Sequence, residues 1–361
     1  MAQDPSRSTG RVRARLREAR HLHSAERRLV ADGVFDLVRW QGIFGRLGLS
    51  DPGARWDAWV GWQSGESQLL PDEIDRAVAG GDLAAVAGVP AEVAAALSES
   101  LGESAMAFAR ASNERAPVVL RVNVARTDRD RLALQLADRG IATDASPVSV
   151  HALRVRGRAN VEGTPEFRGG LFEVQDDASQ AVAALVAEGG PVLDFCAGAG
   201  GKSLALAARG CTVTAADVRP AALAELERRA ARGGHRIATA RLEGTGPLPL
   251  SWRGKFPVVL VDAPCSGTGV WRRHPELRSR AGDAAAYADE QVAIAVRASA
   301  AVAPGGTLVL ATCSVLAIEG ERAIERVLGE TGWSRQEPDQ RWFPHVHGTD
   351  GFFAARIRRP G

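Results

Sequence analysis

The stretch PVLDFCAGAGGKS, residues 191–203, decides the fold of this chain. Its first part, residues 192–195, is a short apolar run that predicts a buried parallel strand. A glycine-rich loop follows, and residues 204–208 then predict a helix. Glycine lets the backbone approach a ligand closely, and the N-terminus of the helix offers free N–H groups. This order of strand, loop and helix is typical of a nucleotide-type cofactor site.

Two phosphate-binding patterns are incomplete in this loop. The P-loop needs a glycine five residues before Gly201, where Cys196 stands, and the dinucleotide fingerprint needs a third glycine where Ser203 stands. Asp194 and Asp217 instead end two apolar strands, where a carboxylate can accept the paired hydroxyls of a ribose. S-adenosylmethionine fits this pattern because its adenosine carries no phosphate. The loop therefore favours a methyltransferase over a nicotinamide enzyme.

Composition and charge indicate an ordinary globular protein. The 361 residues are 45% hydrophobic and 24% charged, and this length is typical of two or three domains. The net charge of +2 does not indicate nucleic acid by itself. A basic run near the N-terminus either neutralises phosphates or is a solvated terminus. Its arginines are Arg7, Arg11, Arg13, Arg15, Arg17, Arg20, Arg27 and Arg28.

The cysteines predict free thiols. Cys196, Cys211, Cys265 and Cys313 form no CxxC pair, which argues against a zinc site. The sequence contains no signal peptide and no apolar stretch long enough to cross a membrane. We therefore expect a reducing, cytoplasmic setting, with no metal, no membrane partner and a monomeric protein.

The chain divides into three predicted domains. Residues 1–115 predict a helical N-terminal domain, and residues 116–167 predict a small α/β RNA-binding subdomain. Residues 168–361 alternate strands with helices, which predicts a doubly wound sheet that binds ligands at the carboxyl ends of its strands. Arg121 and Asn123, in the first strand of the subdomain, either face solvent at a sheet edge or contact a nucleic acid.

Two cysteines each follow a predicted strand of the third domain. Cys265 comes after strand 257–261, and Cys313 comes after strand 307–311. If these strands neighbour each other and the cofactor strand, both thiols and Asp262 meet beside the glycine loop. A lone cysteine is more often a small buried hydrophobic residue, but this paired placement favours chemistry. A thiolate that adds to carbon 6 of a pyrimidine activates carbon 5 for methylation, and a protonated or proton-sharing Asp262 can act as the acid near ring nitrogen 3.

The sequence resembles the RsmB/NOP (Sun) family of RNA cytosine-5 methyltransferases. The stretches that resemble it are LDFCAGAGGKS, VDAPCSGTGVWRRHPELR, ATCSVLAIEGE, GTDGFFAARIRR, FEVQDDASQ and NERAPVVLRVN. PCSGTG and TCS at this separation are highly specific, and the N-terminal helices are similar in style to a NusB-like domain. The resemblance implies a Rossmann-like class I methyltransferase fold and S-adenosyl-L-methionine as cofactor.

The resemblance also implies roles for the candidate site residues. Cys313 would be the nucleophile that adds to carbon 6, and Cys265 would assist release of the enzyme–RNA adduct. Asp217 would hold the ribose of the cofactor, Glu243 would lie near its adenine, and Asp262 would lie between the cofactor and the target base. The cofactor loop itself would be Cys196, Ala197, Gly198, Ala199, Gly200, Gly201 and Lys202.

Three positions depart from the family pattern, and none removes a catalytic group. Ala-Gly-Ala at 197–199 stands where Ala-Ala-Pro is more frequent, and Glu243 stands where an aspartate is usual. Gly320 stands where asparagine is usual, which we expect to weaken the support behind Cys313.

A cluster of aromatic and basic residues follows the Cys265 loop. The cluster is Trp271, Arg272, Arg273 and His274. In one interpretation it contacts RNA, with the arginines on phosphates and a base stacked on the indole. In the other, the tryptophan packs in the core and the arginines are solvated.

These observations favour a methyltransferase that acts on carbon 5 of a cytosine in small-subunit ribosomal RNA, at a base that can leave its stack. Three alternatives stay open: a transfer RNA cytosine-5 methyltransferase, a non-catalytic RNA-binding or assembly protein of the same fold, and a methyltransferase for DNA or a small molecule. Intact Cys265, Cys313 and Asp262 argue against the second. The small α/β unit and the basic terminus argue against the third.

Overall fold

The N-terminal part of the protein is helical. The computed structural model describes residues 14–16, 18–19, 21–244 and 246–361, so Arg7, Arg11, Arg13, Arg17 and Arg20 of the basic run lie outside the described residues. Aspartates begin two helices, since Asp51 caps α3 and Asp82 caps α5 through side-chain contacts with backbone N–H groups. The helices are α1 (Ser24–Arg39), α2 (Gln41–Arg46), α3 (Pro52–Ser64), α4 (Leu69–Ala79), α5 (Leu83–Ala87), α6 (Ala91–Leu101) and α7 (Ala105–Asn113).

A small antiparallel sheet follows the helices. Its strands are β1 (Val119–Val122), β2 (Thr143–Ala145), β3 (Ala152–Val155) and β4 (Phe172–Val174), in the order β2-β3-β1-β4. Helix α8 (Arg129–Ala137) begins at Asp128, whose side chain accepts a hydrogen bond from the Arg131 N–H, and α9 (Pro165–Arg168) precedes β4. Strand β4 lies beyond residue 167, so this sheet takes a strand from the segment that we placed in the third domain.

Arg121 and Asn123 correct both interpretations that the sequence offered. Strand β1 lies inside the small sheet, and both side chains are buried. The Arg121 guanidinium donates hydrogen bonds to Gln175 and to the Gly201 carbonyl, and burial lowers its pKa to about 10. The Asn123 amide donates to the carbonyls of Gly170 and Gly233 at 2.8 and 2.9 Å. These residues therefore join the small sheet to the third domain, and neither is free to contact RNA.

The third domain is a doubly wound sheet, as predicted. The strands lie in the order β10-β12-β9-β8-β5-β6-β7, with β11 paired to β12. Neighbours from β9 to β7 are parallel, and β12 runs antiparallel to β9. The strands are β5 (Pro191–Asp194), β6 (Thr212–Asp217), β7 (Ala238–Arg241), β8 (Phe256–Asp262), β9 (Val302–Thr312), β10 (Ser334–Arg335), β11 (Gln340–Trp342) and β12 (Phe352–Arg358).

Helices cover both faces of this sheet and bury its apolar side chains. Leu193, Val259 and Leu308 in the middle strands are fully buried, and burial of such a side chain contributes about 1.5–3 kcal/mol. The covering helices are α10 (Asp177–Ala184), α11 (Gly201–Ala208), α12 (Pro220–Gly233), α13 (Ala284–Ser299) and α14 (Glu321–Thr331), and the short α15 (Pro344–His347) precedes β12. Because β5, β8 and β9 are adjacent and parallel, the loops after them open at one edge of the sheet.

Candidate active site

The loop after β5 needs its glycines for two physical reasons. Gly198 and Gly200 have φ angles of 54° and 84°, in the left-handed region that favours glycine. A Cβ atom on Gly200 would also lie 2.5 Å from Cγ of Leu226 on α12. Gly200 precedes the first residue of α11, so the free N–H groups of that helix begin directly after the loop. The Ala-Gly-Ala departure therefore keeps a tight turn.

Asp217 ends β6 beside this loop and carries hydrogen bonds on both carboxylate oxygens. Oδ2 accepts from the Gly198 N–H at 2.7 Å and from Arg219 Nη2 at 3.1 Å. Oδ1 accepts from the backbone N–H and from Nε of Arg219, at 2.8 and 3.0 Å. Burial opposes ionisation, yet the hydrogen bonds from Arg219 and Gly198 hold the pKa of Asp217 below its ordinary value. Asp217 is thus an anchored carboxylate at the place where the sequence predicts a ribose.

Lys202 and Asp262 form an ion pair at the same edge of the sheet. Lys202 Nζ lies 2.6 Å from Asp262 Oδ2, and the same ammonium lies 5.0 Å from the centre of the Phe352 ring. Lys202 is buried, whereas the Asp262 side chain keeps a third of its surface exposed. The Asp262 carboxylate therefore has a buried cationic partner at this edge of the sheet.

The two cysteines that the sequence singled out are in contact. Sγ of Cys265 lies 3.2 Å from Sγ of Cys313, and both residues are partly exposed. The loops are also joined through the backbone, since the Gly269 N–H donates to the Cys313 carbonyl at 3.0 Å. The hydrogen bond with Cys313 and burial raise the pKa of Cys265, so Cys265 stays a thiol that can donate to the Cys313 sulfur.

Glu319 is a site residue that sequence reasoning missed. Its buried carboxylate accepts hydrogen bonds from Ser266 and Ser314, the residues that directly follow Cys265 and Cys313. The recurrence of Cys-Ser in both loops was the available signal. Gly320 contributes no side chain to these hydrogen bonds, and the weakened support that we expect from it stays a prediction. A Cβ atom on Gly320 would lie 3.0 Å from the ring of Phe353.

The other cofactor residues differ in how they are placed. Cys196 is partly exposed at the end of β5, and burial raises the pKa of its thiol. The Ala199 carbonyl accepts a hydrogen bond from Arg229 at 2.6 Å. Glu243 follows β7 and is exposed. The neighbouring Leu242 N–H donates to the Asp217 carbonyl at 3.0 Å, which brings the start of this loop beside β6.

Trp271 is a core residue, which corrects the predicted stacking on RNA. Its side chain is fully buried, with its ring centre 6.0 Å from that of Phe108. Arg272 is buried and donates to the carbonyls of Gly348 and Arg115 at 3.1 and 3.2 Å. Arg273 pairs with Asp350 and Asp176. These arginines hold chain segments together and are not arranged for contact with phosphates.

Comparison with known proteins identifies the family. A family profile described as 16S rRNA methyltransferase RsmB/F matches residues 182–358, and one for the ferredoxin-like domain of RsmF/B-like methyltransferases matches residues 90–162. The chain belongs to the RsmB/NOP family. The second match begins ahead of residue 116, where we placed the subdomain boundary.

A curated relative is similar in sequence, and two solved structures are similar in fold. Ribosomal RNA small subunit methyltransferase B of Erwinia tasmaniensis is 36% identical over 263 residues, which are 68% of this chain and 61% of the relative. The crystal structure of PH0851 superposes with a TM-score of 0.77 at 20% identity, over 96% of this chain and 93% of that one. A methyltransferase homologue from Pyrococcus horikoshii gives 0.68 at 25% identity, over 77% and 98%. The chain thus spans about three fifths of that curated relative's length.

The described part of this RsmB/NOP chain has neither a candidate metal site nor a membrane-spanning helix. No group of three or more His, Cys, Asp or Glu side chains there could hold a metal ion. Among the same residues, no helix is long and apolar enough to span a membrane.

Proposed function

We propose that this protein methylates carbon 5 of a cytosine in small-subunit ribosomal RNA, with S-adenosyl-L-methionine as methyl donor and Cys313 as covalent nucleophile. The observation that carries the proposal is the contact between the Cys265 and Cys313 sulfurs, in loops that follow β8 and β9 at the same edge of the sheet as the glycine loop after β5. A protein that only binds RNA has no chemical need for two thiols in one cleft. The name of the Erwinia tasmaniensis relative, a ribosomal RNA small subunit methyltransferase, supports ribosomal RNA as substrate.

The residues after β5 and β6 fit an adenosine-type cofactor. The loop presents backbone at Gly198 and Gly200, where a side chain is disfavoured, and Asp217 offers carboxylate oxygens to ribose hydroxyls. The side chain of Arg219 is 63% exposed, so it can leave the Asp217 carboxylate to a ligand. We place Cys196 to Lys202, Asp217 and Glu243 around the cofactor, which when bound supplies an electrophilic methyl group.

The side chains of the cleft account for the chemistry at the base. The Cys313 thiolate adds to carbon 6 and forms a C–S bond, and the electron pair of the 5,6 double bond moves towards carbon 5. The Lys202–Asp262 pair is proposed to hold a proton near ring nitrogen 3, where negative charge develops. After methylation, a base removes the remaining proton from carbon 5 and the C–S bond breaks. Cys265 assists this release.

The covalent step is tested with two cysteine variants and radiolabelled RNA. Cys265→Ala should accumulate a denaturant-resistant protein–RNA adduct, because release is slowed after carbon 5 is methylated. Cys313→Ala should give neither adduct nor 5-methylcytosine, because it lacks the nucleophile. Cys211→Ala is the matched control, since Cys211 is buried past the end of α11 that is far from the loop, where its thiol donates to the Ala187 carbonyl. Methylation by Cys313→Ala would refute the assigned role.

The substrate is tested by bisulfite sequencing of total RNA from cells with and without the gene. We expect one or more cytosines of small-subunit ribosomal RNA to lose methylation. Loss confined to transfer RNA would favour the alternative substrate, and no loss in any RNA would contradict the proposal.

A further inference from the structure

We propose that Glu319 is a positioning residue that holds the two cysteine loops together and thereby sets the two sulfurs side by side. The inference rests on the proposed function for its effect on turnover, but the placement of the sulfurs is measurable without RNA. Glu319 makes no hydrogen bond to either sulfur. Its carboxylate is hydrogen-bonded to the residues that follow the two cysteines.

One carboxylate collects donors from both loops. Oε1 of Glu319 accepts from the Ser266 backbone N–H at 2.8 Å, and Oε2 accepts from the Ser266 hydroxyl and from the Ser314 hydroxyl, the latter at 2.6 Å. Ser266 directly follows Cys265, and Ser314 directly follows Cys313. A shift of either loop therefore lengthens hydrogen bonds to the same carboxylate.

A helix on the face of the sheet also contacts this carboxylate. Gln291 of α13 is fully buried, and its amide donates to Glu319 Oε1 at 3.1 Å and to the Pro264 carbonyl at 2.9 Å. Pro264 directly precedes Cys265. The Cys265 loop is thus held on both sides of the cysteine, by Gln291 before it and by Glu319 after it.

Further hydrogen bonds close the connection between the loops. The Thr268 and Ser314 hydroxyls lie 2.9 Å apart, and Thr268 Oγ1 accepts from the Val315 N–H at 3.0 Å. The Thr312 hydroxyl donates to the Glu319 carbonyl at 3.2 Å, which fixes the short helix that carries Glu319 (Ala317–Glu319) against the end of β9. Every group on this path is neutral except the Glu319 carboxylate, which is 1% exposed.

Burial of a carboxylate costs free energy, and hydrogen bonds to the charged form must offset that cost. Burial raises the pKa of Glu319, while hydrogen bonds from Ser266 and Ser314 favour the ionised form. Hydrogen bonds to a charged acceptor are shorter and stronger than neutral ones. An ionised carboxylate also accepts at both oxygens at once, which joins three elements at one point. This geometry fits the positioning of two loops better than it fits general packing.

The placement of the sulfurs is tested by oxidation of the free protein with the azo compound diamide. Diamide takes two electrons and two protons from the Cys265 and Cys313 thiols, so that two S–H bonds break, one S–S bond forms and diamide becomes a hydrazine. Mass spectrometry of peptides separates this disulfide from products of Cys196 and Cys211. Glu319→Ala should slow formation of the Cys265–Cys313 disulfide by at least about tenfold, because the sulfurs lose their common support.

Turnover and cofactor binding provide the second readout. At saturating RNA and cofactor, Glu319→Ala should reduce methyl transfer on the order of 10²-fold, the loss expected for an ångström-scale misplacement. The dissociation constant for S-adenosylmethionine, measured by calorimetry on the folded protein, should stay unchanged. A role limited to stability would lower the melting temperature but leave the turnover of the folded fraction intact.

Two further variants keep the test decisive. Glu319→Gln keeps the length but places an NH2 group where one carboxylate oxygen accepts, so it should slow the disulfide by an intermediate amount, and it carries the test if Glu319→Ala folds poorly. Glu321→Gln is the matched control, because this carboxylate lies two residues away and pairs with Arg341 instead. Wild-type disulfide rates in folded Glu319→Ala would overturn the inference. If Glu319→Ala forms the disulfide slowly but the wild-type protein methylates no cytosine, the proposed function is overturned and the inference about Glu319 still stands.

Discussion

The side chain of Asp194 is buried next to the glycine loop, and its carboxyl group is a weaker acid there than in water. Burial raises its pKa to about 7, although the Ser203 hydroxyl donates to Oδ2 at 2.6 Å. Oδ1 has no hydrogen-bond partner within the described residues. The sequence suggested this residue as a ribose ligand because it ends β5. Asp194 is only 1% exposed and is hydrogen-bonded to Ser203 of α11. Asp217 is the carboxylate that is hydrogen-bonded to the glycine loop, at Gly198.

This burial predicts a pH dependence of stability. Between the pKa of unfolded Asp, near 4, and the folded value of about 7, the native state binds a proton that the unfolded state has lost. The free energy of unfolding should therefore fall as pH rises through this window, by an amount on the order of a few kcal/mol. Asp194→Asn should remove this part of the slope, as measured by urea denaturation at pH 5 and pH 8. An unchanged slope in Asp194→Asn would place the proton elsewhere, for example on Asp350, whose pKa burial raises to about 6.

At the scale of elements, the short helices after Cys265 pack against the helical domain. Trp271 follows the helix Thr268–Val270 and packs on Phe108 of α7. The segment Pro275–Asp283 then places the Arg278 guanidinium 5.1 Å from the centre of the indole. The aromatic and basic residues that resembled an RNA contact therefore pack inside the protein, behind the Cys265 loop.

Substitution of Trp271 should report on packing. Trp271→Ala should lower the free energy of unfolding by about 3–5 kcal/mol through the cavity it leaves, measured by chemical denaturation. Trp271→Phe should cost much less, because it also removes a buried indole N–H that has no partner among the described residues. Trp252→Ala, at a partly exposed tryptophan, is the control with a smaller loss. A stable Trp271→Ala protein with weakened RNA affinity would restore the stacking interpretation.

At the scale of the whole molecule, buried arginines fix the helical domain to the catalytic domain. Arg278 donates to the Ala87 carbonyl at 2.8 Å and to Asn113 Oδ1 at 2.6 Å. Arg39 of α1 donates to the Arg272 carbonyl at 2.9 Å. Burial lowers the pKa of Arg278 to about 9, which shows how far its charge is removed from water. The helical domain thus packs against the segment that follows Cys265 and is hydrogen-bonded to it.

Loss of Arg278 should weaken the contact between the helical domain and the segment that follows Cys265. Arg278→Met leaves buried carbonyl acceptors on α5 and α7 without their donor, so the free energy of unfolding should fall by about 2–4 kcal/mol. Limited proteolysis should cut more rapidly between residues 113 and 119, where the helical domain joins the small α/β subdomain. Arg110→Met, at an exposed position of α7, should change neither measurement. Equal protease resistance in both variants would show that other contacts hold the helical domain against this segment.

The sequence alone determined the pieces of the site that depend on neighbours in the chain. Apolar runs of strand length predicted β5 to β9 and β12, and the glycine loop, PCSGTG and TCS are local patterns whose chemistry is visible in their residue types. The meeting of the two cysteine loops with the glycine loop was predicted on the condition that their strands are neighbours, and the structure places β9, β8 and β5 side by side.

Only the tertiary structure decided which polar residues face inwards. Arg121, Trp271 and Glu319 each find their partners more than 45 residues away in the chain, at Gly201, Phe108 and Ser266. A buried arginine or glutamate has the same sequence appearance as an exposed one, because the hydrogen bonds that offset its burial come from distant segments. For the same reason the chain order could place two cysteines at one edge of a sheet, but the distance between their sulfurs required the fold.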